Sequence, residues 1–258
     1  MKQQTSMGRN RTGVQMSPVD TKNMKSGMPP AGPVPAGDDN AIAEMRSNYI
    51  AEADQVGSIP LPGTIKGVAS TGASMLTGNQ PQLLLDKLGE RAAFERAGTR
   101  LYDALITKFK AAQGNAPASM SLDDLDHIRQ EEMAHFAMVA NAIESMGGDP
   151  TAQTPSADLA GVESMGLMQV LTDPRTTLPQ SLHAILVAEL ADNAGWEMLI
   201  ELARANGQDA MVPGFQKALE EERTHLQQVR AWLEEATLGT AVSGSAPAGK
   251  GAGSSRLH

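Results

Sequence analysis

Apolar residues recur every three to four positions along four long stretches of the chain, with polar residues on the opposite side, the period of a helix that buries one face. The first stretch runs from about Pro81 to Ala112, carries proline in its first turn and stops at "QGN". Ser121 with Asp124 three residues on opens the second in the manner of a capping box, and "MGGDP" closes it. The third begins near "TLPQSL" and ends at Asn206-Gly207; the fourth runs from about Pro213 to Leu238. No segment alternates with period two, so the fold is predicted to be all-α.

The connections constrain how these helices are arranged. Some eight residues join the first helix to the second and about six join the third to the fourth, which suits two hairpins. Between the hairpins lie roughly thirty residues, with a short helix expected at Leu159 to Leu171. A helix of ~27 residues is ~40 Å long, and a connection of that length can return along all of it. The expected architecture is therefore a four-helix bundle of two hairpins joined by a long crossover.

The two hairpins also repeat one another in sequence. "ERAGTRLYDALITKFKA" from Glu95 aligns with "ELADNAGWEMLIELARA" from Glu189, placing Tyr102 over Trp196 and Leu105-Ile106 over Leu199-Ile200. Their second helices align as "EEMAHFAMVANAIE" and "EERTHLQQVRAWLE", with Val139 over Val229. Glu95 lies 37 residues before Glu132, and Glu189 lies 33 before Glu222, a difference that falls in the loop.

Composition changes the picture at the two ends. Residues 1–40 are rich in Met, Gly, Pro, Ser and Lys, and the end of the chain, "LGTAVSGSAPAGKGAGSSRLH", is of linker type; neither can bury enough surface to offset ordering its backbone. We therefore expect a disordered tail over 1–40 and an irregular segment over 41–75 with enough apolar residues to pack on the bundle. The bundle itself is expected over 76–237 and a disordered Gly/Ser/Ala-rich tail over 238–258. Of 21 basic and 30 acidic residues, residues 1–40 hold five and three and 238–258 hold two and none, so the middle carries 14 and 27, a net charge of −13. An acidic body without aromatic interleaving in its basic tail is not expected to bind nucleic acid. The N-terminus has no apolar core of a secretory signal, and no run approaches the ~18 apolar residues of a membrane span, so no membrane role and a cytoplasmic location are expected. Cysteine is absent, which excludes disulfides, thiolate catalysis and iron–sulfur ligation in this sequence. Metal or redox chemistry would have to rest on carboxylates and histidines.

Such residues stand at repeated positions. In Glu132-Met-Ala-His135 and Glu222-Arg-Thr-His225, the carboxylate and the imidazole are three residues apart and so project from one helix face about a turn apart. Each pair follows a helix bearing a glutamate on its apolar stripe, Glu95 near Leu88, Tyr102 and Leu105, and Glu189 within "HAILVAELADNAGW". A carboxylate buried there costs several kcal/mol unless it is paired or bound to metal.

The set Glu95, Glu132, His135, Glu189, Glu222 and His225 resembles the di-iron carboxylate site of the ferritin-like superfamily, with rubrerythrin-type proteins nearest in layout. Dimanganese catalases share the arrangement. The resemblance covers about 160 residues and implies two Fe ions, or alternatively two Mn ions. One histidine would bind each metal, one glutamate on each histidine-bearing helix would bridge them, and Glu95 and Glu189 would complete the set. It further implies an oxidoreductase that activates peroxide or O2, peroxidase-like or ferroxidase-like, in oxidative-stress defence or iron handling, and a homo-oligomer, dimer or larger. Rubrerythrins proper carry a cysteine-ligated rubredoxin module; lacking cysteine, this chain would need an external electron donor. Iron storage, a dimanganese catalase and a non-catalytic structural or binding bundle are the competing expectations.

Several residues remain open in sequence. Similar proteins place a further glutamate where Asp192 stands. Tyr102 faces the same way as Glu95 and either packs the core as Trp196 does or approaches the site. Thr99 and Asn193, each four residues after a glutamate of the set, are candidates to steady the ligands from behind or are simple helix polarity. Glu131 and Glu221 point about 100° away from their neighbours and read as a solvated edge. His127, His183 and His258 fit no partner pattern.

Overall fold

A computed structural model of the protein describes residues 17–28, 32, 39–54, 56–60, 81–112 and 114–243, with side chains as far as 239. All regular structure among the described residues is helical: α1 (Pro18–Gly27), α2 (Asp39–Glu52), α3 (Pro81–Ala111), α4 (Leu122–Ser145), α5 (Pro155–Thr172), α6 (Leu178–Ala205) and α7 (Val212–Ser243). The all-α expectation holds. The chain divides into two compact units, residues 4–56 and residues 57–258 together with 1–3.

The smaller unit contains α1 and α2. Both lie in stretches expected to be irregular or disordered, and both are exposed, α1 burying no residue and residues 40–52 of α2 all facing solvent. Their helicity is local in origin. α1 has Pro18 in its first turn, Asp20 near its positive end and Lys25 near its negative end. The remaining residues of the expected 1–40 tail, and residues 61–80, lie outside the described residues. So do 244–258, and α7 itself extends six residues past the expected bundle end at 237.

The larger unit is built from two hairpins, α3 with α4 and α6 with α7, packed so that α3 also meets α6 and α4 meets α7. Ser121 Oγ accepts from the Asp124 N–H at the start of α4 (3.1 Å), as its sequence signature indicates. Thr177 and Gln180 form a reciprocal capping box at the start of α6. Gly147 and Gly207, both with positive φ, end α4 and α6. The crossover helix α5 is longer than the expected 159–171. Thr154 caps it, Pro155 sits in its first turn, and the Asp86 carboxylate of α3 accepts from the backbone N–H and hydroxyl of Ser156 (2.9 and 2.6 Å). Those contacts start the helix a turn early and hold it along α3.

Two apolar clusters fill the bundle, one at each end. The first contains Leu84, Leu88, Val139, Ile143, Leu199, Phe215 and Leu219; the second contains Leu105, Leu125, Ile128, Leu182, Ile185, Val229 and Trp232. Burying one such side chain stabilises by ~1.5–3 kcal/mol, so the two clusters supply the driving force for assembly. Between them, at mid-height, every one of the four long helices interrupts its apolar stripe with charged residues. Among the described residues no helix is long and apolar enough to cross a membrane.

Candidate metal centre

The interruption falls in step on all four helices because the apolar spacing continues through it. On α4, Ile128, Glu132, His135 and Val139 follow one another at helical spacing; on α7 the run is Leu219, Glu222, His225 and Val229. On α3, Glu95 lies between Ala92 and Tyr102, and on α6, Glu189 and Asp192 lie between Ala188 and Trp196. All these polar side chains are buried, Glu95 and Glu222 completely. The structure thus brings Glu95, Glu132, His135, Glu189, Glu222 and His225 to one place, together with Asp192.

Their inward atoms form overlapping groups. One comprises Glu132, Glu189, Glu222 and His225; another Glu95, His135 and Glu222; a third Glu95, Glu132, Asp192 and Glu222; within each, the candidate ligand atoms lie within 4.8 Å of one another. Glu222 belongs to all three and Glu132 to two, so these two carboxylates reach both ends of the cluster. The Glu222 carboxylate sits between the imidazoles, with Oε1 2.8 Å from His135 Nδ1 and Oε2 3.2 Å from His225 Nδ1.

The outer nitrogen of each imidazole is held by the opposite hairpin. His135 Nε2–H donates to Glu221 on α7 (3.0 Å), and His225 Nε2–H donates to Glu131 on α4 (2.9 Å). A carboxylate only accepts, so these contacts place a proton on Nε2 and turn Nδ1 of both rings into the cluster. Glu131 and Glu221 are therefore not the solvated edge that their helical angle suggests. Their ends curl across the seam between α4 and α7, and each has a basic residue four positions earlier against it, Lys217 on Glu221 and His127 3.4 Å from Glu131. A helical wheel of one helix cannot show this, since the partner is on the other hairpin. The signal available was the doubled acid, Glu-Glu-x-x-His, present in both copies.

Four further residues surround the cluster. The Tyr102 hydroxyl donates to the Glu189 carboxylate, so Tyr102, 1% exposed, both packs the core and touches the site. Its repeat counterpart Trp196 stands edge-on to His135, ring centres 5.7 Å apart. Asn193 donates to the backbone carbonyls of Glu189 and Glu222 (3.0 and 3.1 Å) and so ties α6 to α7 where both present ligands. Thr99 only donates to the Glu95 carbonyl of its own helix (3.1 Å), the local polarity alternative.

Arg91 was not found from sequence. It is 5% exposed, one turn before Glu95, with Nε 3.1 Å from Glu95 Oε1 and Nη1 2.9 Å from Asp192 Oδ1 and 3.1 Å from the Asp192 carbonyl. Gly195 makes room for it, since a Cβ there would lie 2.2 Å from Arg91 Nη1.

Protons redistribute accordingly. Burial pulls the imidazole pKa values down, but contact with Glu222 and the neighbouring carboxylates outweighs it, holding His135 up at about 11 and His225 up at about 9. Burial, the Glu222 charge and the Glu95 charge push Glu132 well above the usual carboxylate range; burial and Glu222 raise Glu189 to about 8. Burial raises Glu222 too, but its contacts with His135 and His225 prevail and hold it low. In this state protons stand where cations could.

The donor set fits divalent metal. Both oxygens of Glu95, Glu132 Oε2, His135 Nδ1, Glu189 Oε2, Asp192 Oδ1 and Glu222 Oε1 are buried without a well-formed hydrogen bond. Buried polar atoms rarely go unsatisfied, and here they converge. A Cβ at Gly98 would lie 2.0 Å from Glu132 Oε2, so the backbone of α3 leaves room for that carboxylate. Five carboxylates against one guanidinium leave four negative charges, which two divalent cations and neutral imidazoles balance. Oxygen-rich sets with imidazole suit iron or manganese.

Comparison with curated proteins and with solved structures returned no match. Residues 123–238 match the Ferritin family, described as the ferritin-like domain. The matched stretch is less than half of the chain, begins inside α4 and leaves out α3 with Glu95 and Arg91. Together with the all-helical bundle, that match supports a ferritin-like domain here, with a buried carboxylate and histidine cluster compatible with a di-iron centre.

Proposed function

We propose that this bundle is a di-iron oxidoreductase that turns over peroxide or O2, peroxidase-like or ferroxidase-like, drawing electrons from an external donor. The observation that carries this reading is the convergence of buried carboxylate oxygens without well-formed hydrogen bonds, and of the Nδ1 atoms of both histidines, in three overlapping groups that share Glu222. Glu95, Glu132, His135, Glu189, Glu222 and His225 would hold the metals, Glu132 and Glu222 serving both positions. Residues placed this way would hold two ferrous ions, which when bound would supply the two electrons that reduction of an oxygen–oxygen bond needs.

The chain's own groups prepare that chemistry. Glu131 and Glu221 keep the proton on Nε2 of each ring, so that Nδ1 is the nitrogen that gives up its proton when a cation arrives. Tyr102 offers a buried O–H beside Glu189, and burial, with the Glu189 charge, keeps it protonated far beyond its ordinary range. The two apolar clusters above and below keep water from the reacting groups. A homo-oligomer remains part of the proposal by resemblance alone.

The test is metal quantitation after anaerobic Fe(II) loading, followed by peroxide and O2 consumption. Wild type should hold about two irons per chain, the number its four balancing charges call for, and consume oxidant with a reductant present. Glu132→Ala/Glu222→Ala should hold few. Equal metal in both rejects the ligand assignment; O2 evolution from peroxide without reductant, by manganese-loaded protein only, would point instead to a catalase.

A further inference from the structure

The two halves of the centre mirror one another closely: Glu95 answers Glu189, Glu132 answers Glu222, and each histidine leans on the other hairpin's outer glutamate. Arg91 and Asp192 break that symmetry. Four residues before Glu189, where the repeat would place an arginine, stands buried Ile185; three residues after Glu95, where it would place an aspartate, stands Gly98. The two odd residues meet each other. Arg91 binds Asp192 through its side chain and its carbonyl, and its Nε also takes Glu95 Oε1. Among the described residues no arginine or lysine pairs with Glu189, whose hydrogen-bond partner is the neutral Tyr102 hydroxyl. Gly195 is shaped for the guanidinium, and Phe94 and Trp196 flank it at 4.3 and 5.6 Å from their ring centres, so it is held in place rather than free to swing out.

Resting on the metal-centre reading above, we propose that Arg91 is a positioning residue that makes the two cation positions unequal. The position built on Glu95 and His135 faces a fixed positive charge and shares Glu95 with it. The position built on Glu189 and His225 does not. The second therefore fills first and more tightly, and Asp192 serves as the anchor of Arg91 rather than as a ligand. Charge at this depth is weakly screened, so one guanidinium in contact with a ligand carboxylate changes cation affinity by an order of magnitude or more.

The experiment titrates the metal-free full-length protein with Co(II), followed by its visible absorption and by calorimetry. Wild type should take up two Co(II) in two phases at least ten-fold apart. His225→Ala should remove the tighter phase and His135→Ala the weaker. Arg91→Met should tighten the weaker phase at least ten-fold and leave the tighter within about three-fold. Asp192→Asn frees Arg91 to face Glu95 alone and should weaken the same phase further; it keeps the Arg91–Glu95 pair and decides the matter should Arg91→Met not fold. A purely structural Arg91 predicts that both variants weaken both phases, and that result, or a single common affinity in wild type, overturns the inference. Wild type that takes up no Co(II) overturns the metal-centre reading itself.

Discussion

Gly98→Ala separates the fold from the site. The added methyl would stand 2.0 Å from Glu132 Oε2 and 2.9 Å from its carboxyl carbon, whereas ordinary contact begins near 3.4 Å. The carboxylate must retreat by about 1.4 Å, several times the ±0.2 Å within which metal–ligand distances hold. Since the obstructing atoms are the end of a side chain, rotation of Glu132 relieves the clash without moving backbone. Replacing glycine by alanine inside a helix gains ~1 kcal/mol, and crowding a packed interior costs ~1–3 kcal/mol. The metal-free variant should lie within ~2 kcal/mol of wild type, a shift in Tm of no more than ~8 °C for a domain of this size. Bound iron should nevertheless fall from about two per chain to fewer than one, since Glu132 reaches both positions. Thermal denaturation of the metal-free proteins and metal analysis after anaerobic loading read the two effects separately. Undiminished iron at wild-type affinity in a folded Gly98→Ala protein would mean that this glycine is not needed to admit the Glu132 carboxylate.

Three other outcomes follow from the polar network. Glu131→Gln/Glu221→Gln removes the charges that orient both imidazoles and should weaken Co(II) binding by ~10–100-fold, as loss of such supports generally does; unchanged affinity would show that neither glutamate orients its imidazole for binding. Protons give the other two. His135 and His225, held at about 11 and about 9, are both charged at pH 7 without metal, so a divalent cation must expel their protons. Calorimetric enthalpies of Co(II) binding at pH 7 should therefore differ between buffers of different ionisation enthalpy, and equal enthalpies would contradict the protonation assigned here. For the same groups the folded pKa exceeds the unfolded value, so their contribution to stability is complete below about 6.5 and is lost as pH rises through 9 to 11. Glu189, raised to about 8, acts in the same direction, and the metal-free Tm should fall between pH 7 and pH 10.

Helical period and spacing determined the fold class, the two hairpins, the crossover and the six residues that converge at mid-bundle, because those features depend on which face of each helix is apolar, and a three-residue interval is visible in one dimension. The repeat allowed residues of different helices to be paired before any packing was known. What only the tertiary structure decided lies across the seams between helices. Glu131 and Glu221 read as solvated on their own helices and become supports only when the opposite hairpin brings an imidazole within 3.0 Å. Arg91, an arginine on an apolar stripe, has no sequence signal until α6 places Asp192 beside it and Gly195 leaves it room. Tyr102 could be core or site in sequence and is both in space, because its ring fills the stripe of α3 while its hydroxyl crosses to α6. A residue's face is a property of its own helix; its partner is a property of the packing.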